Sequence, residues 1–434
     1  MATFKLAASG DTILLQPFPQ DYDGWKEIAS FFGQADVRFN NMECPLSDYE
    51  DPASAYCGGL WICAAPERLD ELNERFSFDC FSFANNHTLD YFYSGLERTL
   101  QAFEQRKLPV CGAGRDLEAA TRHCKVQTEA GSLAVLAITT TCDNSARAGD
   151  PKGPFPGRPG ANKLRHGEQF RISEEYMKSL QEIAEATCID GRANNSRKGG
   201  YLPTKPGIFN FGGAEFKIGF PEGKESVPNT HDMKRMESAV KAARNDADRV
   251  MVYVHSHEIR GMDDEETDFF LDTFCRACID WGADAVICSG THQIKAVEFY
   301  KGCPIFYSVA NFIFQVNGSD YFPMDYYERT GADLSLDAKG VINVRSKGGK
   351  IGLETESYCY RAILPMLTWE DGKLGPVIAK PIGLGFDGPA HLKGLPRSAT
   401  PEETEVILRQ LQKLSEPYGT KVSLRDDGML LFEA

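Results

Sequence analysis

The sequence predicts an α/β protein with a mainly antiparallel β extension at its C-terminal end. Three observations lead there. Short apolar runs alternate with amphipathic stretches through the first part of the chain and again from about residue 230. Polar residues suited to chemistry stand just beyond the carboxyl ends of those runs. From about residue 320 the texture changes to strand-rich segments with Asp-Gly turns. The expected organisation is a main domain over 1–320, interrupted by an insertion at about 143–230, and a β-rich extension over 321–434 packed on the same domain.

Each element follows from its local pattern. FKLAAS (4–9) reads as a strand. GWKEIASFFGQA (24–35) sets Trp25, Ile28, Ala29 and Phe32 on one helical face. DVRFN (36–40) and FDCFSFA (78–84) read as strands. SGLERTLQAF (94–103) reads as a helix, with Ser94 and Glu97 as a capping box ahead of Leu96, Leu100 and Phe103. SLAVLAITT (132–140) is a further strand. Residues 143–230 break the rhythm: PKGPFPGRPG, one helix at SEEYMKSLQEIAEA (173–186), then a Gly-rich stretch. The alternation returns with a helix around 231–247, strand RVMVYVH (249–255), a helix over 265–281, and strands ADAVIC (283–288) and PIFYSVA (304–310). In the extension, GVINVRS, YCYRAILPMLTWEDGKLGPVIAKPI and KVSLRDDGMLLFE read as antiparallel strands, with Asp371-Gly372 and Asp427-Gly428 as hairpin turns. Thr400, Pro401 and Glu403 mark the start of one helix carrying Val406, Leu411 and Leu414.

Composition bounds the function. The chain has 434 residues, 42% hydrophobic and 25% charged, as expected of a soluble globular protein. No stretch approaches the ~20 apolar residues of a membrane helix. MATFKLAASGD lacks the basic and apolar regions of a signal peptide, so the expected location is cytoplasmic. A net charge of −15 argues against a nucleic-acid or anionic-membrane partner. The thirteen cysteines are scattered, and Cys275 and Cys278 share a helical face with Phe270, Phe274 and Trp281, which reads as packing of reduced thiols. His123, His166, His231 and His391 read as surface or satisfied imidazoles. No nucleotide cofactor is expected.

The informative pattern is positional. Asp11 follows the first strand across Gly10, and Glu43 follows the second. Asn86 and His87 follow strand 78–84, His255 and His257 end strand 249–255, His292 follows strand 283–288, and Asn311 follows strand 304–310. In an open α/β sheet the carboxyl ends share one edge, where ligand sites form. Carboxylate, imidazole and amide oxygen together suit zinc, manganese or iron. A carboxylate such as Glu43 could bridge two metals ~3.5–4 Å apart and so activate water for attack on phosphorus or a carbonyl. Asp11 after Gly10 could equally be a turn residue or helix cap, Glu43 an ordinary loop carboxylate, and Asn85-Asn86-His87 alone a turn; six coincidences at successive strand ends favour a shared site.

These residues, in this order, resemble the CapA family of bacterial capsule and poly-γ-glutamate biosynthesis proteins, a branch of the calcineurin-like metallophosphoesterases. The likeness is carried by SGDTILL (9–15), FNNMECPLS (39–47), FANNHTLDYFYSGLERTL (83–100), CGAGRDLEAA (111–120), GRPGANKLR (157–165), VYVHSHE (252–258), IDWGADAVICSGTHQIKAVEFYKGCPIFYSVANFIFQ (279–315) and LSEPYGTKV (414–422). It implies a four-layer α/β/β/α sandwich and a pocket holding one or two divalent metal ions (Mn, Zn or Fe). Asp11 and His292 would ligate one metal, Asn86 and His255 the second, and Glu43 would bridge. His87 would be the general acid or transition-state stabiliser. Two imidazoles of the dinuclear pattern are absent: Ile13 stands where the parent superfamily has His in Asp-x-His, and Thr291 precedes His292 where a first His is usual. His257, which a strand would set on the same face as His255, is the candidate replacement.

Three activities remain open at this level. The first is metal-dependent hydrolysis of a phosphoester or of a γ-glutamyl or peptide amide. In it His87 protonates the leaving group, and Arg158, Asn162, Lys163, Arg165 and Asn311 bind substrate. The second is metal-independent peptide epimerisation, with Asp11 and His292 as the acid/base pair. The third is non-enzymatic binding of poly-γ-glutamate. The partner is accordingly a small-molecule, peptide or polyanionic substrate; the oligomeric state is not written in the sequence.

Overall fold

Two β-sheets carry the architecture. The computed structural model describes residues 3–434. Among the described residues the larger sheet has ten strands; eight stand in the order Lys421–Leu424, Leu430–Glu433, Lys373–Gly383, Arg361–Glu370, Thr3–Ile13, Val37–Met42, Cys80–Ser82, Val110–Cys111, while Asn311–Phe314 pairs with Thr3–Ile13 and Arg397–Ser398 with Lys373–Gly383. The first strand is its hinge between parallel and antiparallel halves. One edge pairs in parallel with Val37–Met42. The other pairs antiparallel with Arg361–Glu370 at its start and parallel with Asn311–Phe314 at its end, where Asp11 is opposite Asn311.

The smaller sheet has six strands, in the order Val297–Tyr300, Cys303–Phe306, Ala285–Gly290, Arg249–Ser256, Gly131–Thr139, Cys124–Thr128. Its four central strands are parallel. Alternation along them decides what each side meets. Ala134, Leu136, Ile138, Val250, Val252 and Val254 cluster with the helices Thr230–Asp246 and Phe269–Asp280. Leu133, Val135, Ala137, Met251, Tyr253 and Ile287 join the core of the larger sheet. The Phe39 and Tyr253 rings meet across the two sheets at 5.0 Å. Fully burying each such aliphatic side chain is worth ~1.5–3 kcal/mol, so a strand buried on both faces is held firmly at the site's floor.

The expected α/β character therefore holds, as a mixed arrangement of parallel and antiparallel sheets. Most predicted elements appear within a few residues of their expected bounds, including the Thr400–Pro401–Glu403 capping box on helix Pro401–Ser415 and the turn at Asp371-Gly372. Cys275 and Cys278 are buried in helix Phe269–Asp280, with Cys275 Sγ 3.7 Å from Cys288 Sγ.

Several elements differ from the sequence reading. GVINVRS is not a strand: Ala338–Arg345 is a helix capped by Asp337, whose side chain accepts from Gly340 N. Its buried Ala338, Val341 and Ile342 fall at helical spacing, and the last two pack near Trp61 and Tyr326. Non-local packing thus overrides a β-branched run. The helix expected from Ser94 begins at Phe92 and has no side-chain cap. Helix Glu67–Phe76, unread in the sequence, buries Leu69, Leu72 and Phe76. The strand predicted at 304–310 runs only over Cys303–Phe306, and a separate strand, Asn311–Phe314, follows it, so Asn311 begins a strand instead of following one. The segment expected as an insertion holds a separate four-stranded sheet, in the order Phe209–Phe211, Ala214–Ile218, His166–Ile172, Gly223–Pro228, with the helices Glu174–Thr187 and Gly191–Lys198 between its strands in sequence.

Candidate metal centre

The first strand delivers Asp11 through an irregularity. Its pairing with the second strand shifts register between Ala8 and Asp11, and its pairing with Asn311–Phe314 shifts just after Asp11. Such a bulge re-aims a side chain at a sheet edge. Gly10 is required there, because a Cβ at this position would lie 1.8 Å from the Ala310 carbonyl oxygen. Asp11 is fully buried. Its Oδ1 accepts from Asn41 Nδ2 at 2.8 Å, from Tyr253 OH at 3.0 Å and from Ser289 Oγ, and lies 3.3 Å from His255 Nδ1. Its Oδ2 accepts from Gly290 N at 2.9 Å. Burial opposes ionisation, but His255, His292 and the Ser289 hydrogen bond outweigh it and hold the carboxyl well below its usual range.

Glu43 is the opposite case. It is fully buried, yet neither carboxylate oxygen has a hydrogen-bond partner among the described residues. Burial, with Asp11 and Asp90 nearby, pushes its carboxyl well above the usual range. Leaving a buried carboxylate unpaired costs at least ~1–3 kcal/mol, so the site asks for a cation or a proton there.

The histidines converge on this carboxylate. His255 Nε2 lies 2.8 Å from Asn86 Oδ1, 3.0 Å from His257 Nε2 and 3.4 Å from Glu43 Oε1. In either neutral tautomer, one ring nitrogen of His255 faces oxygen with no proton between them, an arrangement that a cation relieves. Two sets of ligand atoms lie within 4.8 Å of one another: Asp11, Glu43 and His255, and Glu43, His257 and His292. Glu43 belongs to both. His292 groups with His257 here, whereas the resemblance implies that it pairs with Asp11. His292 sits at φ 57°, a left-handed conformation costly for a non-glycine residue and typical of functional sites. Its Nδ1 meets Asn311 Oδ1 at 2.8 Å, and Asn311 is itself fixed by donating Nδ2 to the Cys359 carbonyl at 2.9 Å. That contact sets the tautomer, leaving Nε2 bare for a ligand. Burial drives the pKa of His292 down, and burial together with His255 and His292 drives that of His257 well down. Neutral imidazoles are what a metal requires.

The Asn85-Asn86-His87 segment divides its labour. Asn85 donates to the Met42 carbonyl at 2.8 Å and accepts from His87 N at 3.0 Å, which ties the turn to the second strand. Asn86 faces His255, and its Nδ2 holds the Gly58 carbonyl at 2.6 Å. His87 Nδ1 meets Asp90 Oδ2 at 2.7 Å. Asp90 is fully buried and also accepts from Gly58 N and Ile62 N. His87 and His292 line a cavity of about 600 Å³.

The expected substrate-binding residues are scattered in role. Asn311 orients His292. Asn162 is buried, donating to the Ala137 carbonyl and accepting from Arg235. Arg165 is paired with Asp232, and Arg158 donates to the Arg147 carbonyl. Lys163 lines a smaller cavity with Asn86 and Glu258, its Nζ donating to the Cys142 carbonyl. Sequence reasoning missed Asn41, Tyr253, Ser289 and Asp90. Two of them had a signal: Tyr253 stands two residues before His255 on the same strand face, and Asp90 stands three after His87.

The fold and this site define a mixed α/β protein with a buried carboxylate–imidazole centre at the carboxyl ends of its strands. The chain belongs to the bacterial capsule synthesis protein family PGA_cap, whose profile matches residues 5–316. Two uncharacterized proteins of Sinorhizobium fredii, y4sH and y4uA, are each 28% identical to it over 436 residues, covering 98% of this chain and 92% of theirs. The PGA biosynthesis protein CapA of Bacillus subtilis is 24% identical over 353 residues, covering 76% of this chain and 72% of its own. No helix among the described residues is long and apolar enough to cross a membrane.

Proposed function

We propose that the chain is a metal-dependent hydrolase of the calcineurin-like type, acting on a phosphoester or on a γ-glutamyl or peptide amide in capsule or poly-γ-glutamate metabolism. The observation that carries this reading is the buried carboxylate of Glu43, without a hydrogen bond among the described residues, at the shared corner of two ligand sets. The donor set fits manganese, zinc or iron. Asp11, Glu43 and His255 would hold one ion, with Asn86 beside them, and Glu43, His257 and His292 would hold a second. When bound, such ions supply Lewis acidity and a water acidified enough to react at neutral pH. The family match and the face-to-face packing of the two sheets support the α/β/β/α layering of that class.

The protein's own groups do the rest. His87 stands at the cavity with its Nδ1 on Asp90, so a proton on Nε2 can be given to a leaving oxygen or nitrogen. Asp90 orients the ring. Asn311 keeps His292 Nε2 bare.

The epimerase alternative asks Asp11 to accept a proton from a substrate carbon. Asp11 is fully buried, has donors on both oxygens and is strongly acidic, all of which suits a ligand better than a base. The test is elemental analysis of protein purified without chelator, with chelator-sensitive hydrolysis of p-nitrophenyl phosphate and γ-glutamyl-p-nitroanilide. At least one metal per chain is expected. His87→Asn should keep that metal and lose ~10²–10⁴-fold in kcat. Protein that neither retains nor takes up a divalent ion refutes the reading. Deuterium uptake into a peptide without cleavage would select the epimerase. Binding of poly-γ-glutamate without turnover would select the non-enzymatic role.

A further inference from the structure

The cavity beside His87 and His292 has a second wall that the hydrolytic chemistry does not use. It comes from the helices Met324–Thr330 and Ala338–Arg345 and the loop after them, and it brings three cations: Arg329, Arg345 and Lys347. They are not equivalent. Arg345 is neutralised by Glu354, with Nη2 2.8 Å from Oε1. Arg329 has no carboxylate within ion-pair distance among the described residues, although its side chain is held in place. Its guanidinium lies 5.1 Å from the Trp61 ring centre and 4.9 Å from that of Tyr326. Nη2 donates to the Gly59 carbonyl at 2.6 Å, and Nη1 meets Cys57 Sγ at 3.8 Å. Two of its five N–H donors are thereby engaged, leaving a preordered fork with charge to share. The ordering cost usually charged to binding a long side chain has been met in advance by the two rings.

We propose that Arg329 anchors an oxyanion of the substrate at a point remote from the bond that is cleaved, with Lys347 contributing charge from the same wall. This rests on the reading of the metal centre only for where the scissile bond lies. A chain of net charge −15 repels anionic ligands on average, so an anionic substrate needs a local cation to draw it into this cavity. The anchor is tied to the centre by the loop it grips. Gly58, next to the Gly59 that Arg329 holds, accepts from Asn86 Nδ2 and donates to Asp90 Oδ1. The oxyanion is a carboxylate if the substrate is a glutamyl chain and a phosphate if it is a phosphoester.

The experiment is titration calorimetry on the full chain, both metal-loaded and EDTA-treated, with γ-linked triglutamate, its fully amidated counterpart and phenyl phosphate. Wild type, Arg329→Ala and Arg329→Lys are compared, with circular dichroism confirming their fold and metal content measured in parallel. Wild type should bind at least one anionic probe. Arg329→Ala should weaken that binding at least tenfold, and Arg329→Lys should fall between. Neither substitution should alter metal content or affect the amidated probe. The preferred anionic probe identifies the source of the oxyanion. Arg329-dependent binding in a protein that neither retains nor takes up a divalent ion would sink the hydrolase reading and leave this one standing. Equal binding by wild type and Arg329→Ala overturns the proposal, as does failure of wild type to bind either anionic probe in either state.

Discussion

Glu43→Gln separates a metal centre from a merely polar core. In wild-type protein stripped of metal, a buried carboxylate sits without a hydrogen bond, close enough to Asp11 and Asp90 to feel both charges. Removing that ionisable group relieves ~1–3 kcal/mol. Unfolding entropy for a chain of 434 residues is about 0.9 kcal/mol per kelvin, so Glu43→Gln should raise the Tm of chelated protein by ~1–3 °C. With metal the order reverses. A divalent ion at a hundred times its Kd stabilises wild type by ~2.7 kcal/mol, or about 3 °C. The amide cannot bridge two cations, so the variant should gain less than 1 °C. Differential scanning calorimetry in EDTA and in graded MnCl2 or ZnCl2 reads both effects. If the variant is less stable than wild type in EDTA by more than 1 °C, and wild type does not respond to either metal, the carboxylate has an ordinary structural role and the reasoning fails.

Two other outcomes follow from the same geometry. Asn311→Ala removes the contact that fixes His292, and should weaken metal affinity ~10–100-fold in competition with a fluorescent chelator while kcat at saturating metal changes little; unchanged affinity would show that the ring is held by packing alone. Lys295 is buried; among the described residues its Nζ has one hydrogen-bond contact, at 3.3 Å to the Glu266 carbonyl, and burial lowers its pKa from 10.5 to about 8. Because the folded value lies below the unfolded one, the stability penalty is full below pH 8 and disappears as pH rises towards 10.5. Lys295→Met should therefore be more stable than wild type by ~1–3 kcal/mol at pH 7, with the gap closing between pH 8 and 10 in urea titrations; a gap independent of pH would mean that the ammonium is not the cause.

The main line of the fold was legible because it is written in local periodicity. Strand Arg249–Ser256 and helix Phe269–Asp280 announce themselves by apolar spacing, and Thr400-Pro401 with Glu403 announces a helix start by cap chemistry alone. Gathering Asp11, Glu43, His255 and His292 required one further rule, that parallel strands share a carboxyl edge; the structure groups Asp11 and His255 with Glu43, and His292 with Glu43 and His257. Where the rule was local but the competition was not, the reading failed. Val341 and Ile342 look like strand residues until Trp61 and Tyr326 give a helix something to bury.

The sequence by itself determined central strands such as Val37–Met42, Arg249–Ser256 and Ala285–Gly290, and the polar residues near their ends, since both depend on spacing along the chain. Only the tertiary structure decided the partners: that Asn311 orients His292, that His257 joins Glu43 and His292, and that Asp11 is enclosed by Asn41, Tyr253 and Ser289. It also decided that Arg329 faces a cavity shared with His87, 242 positions earlier in the chain. These are contacts between side chains far apart in sequence. Their distances are set by how two twisted sheets pack, a quantity that no local window of residues contains.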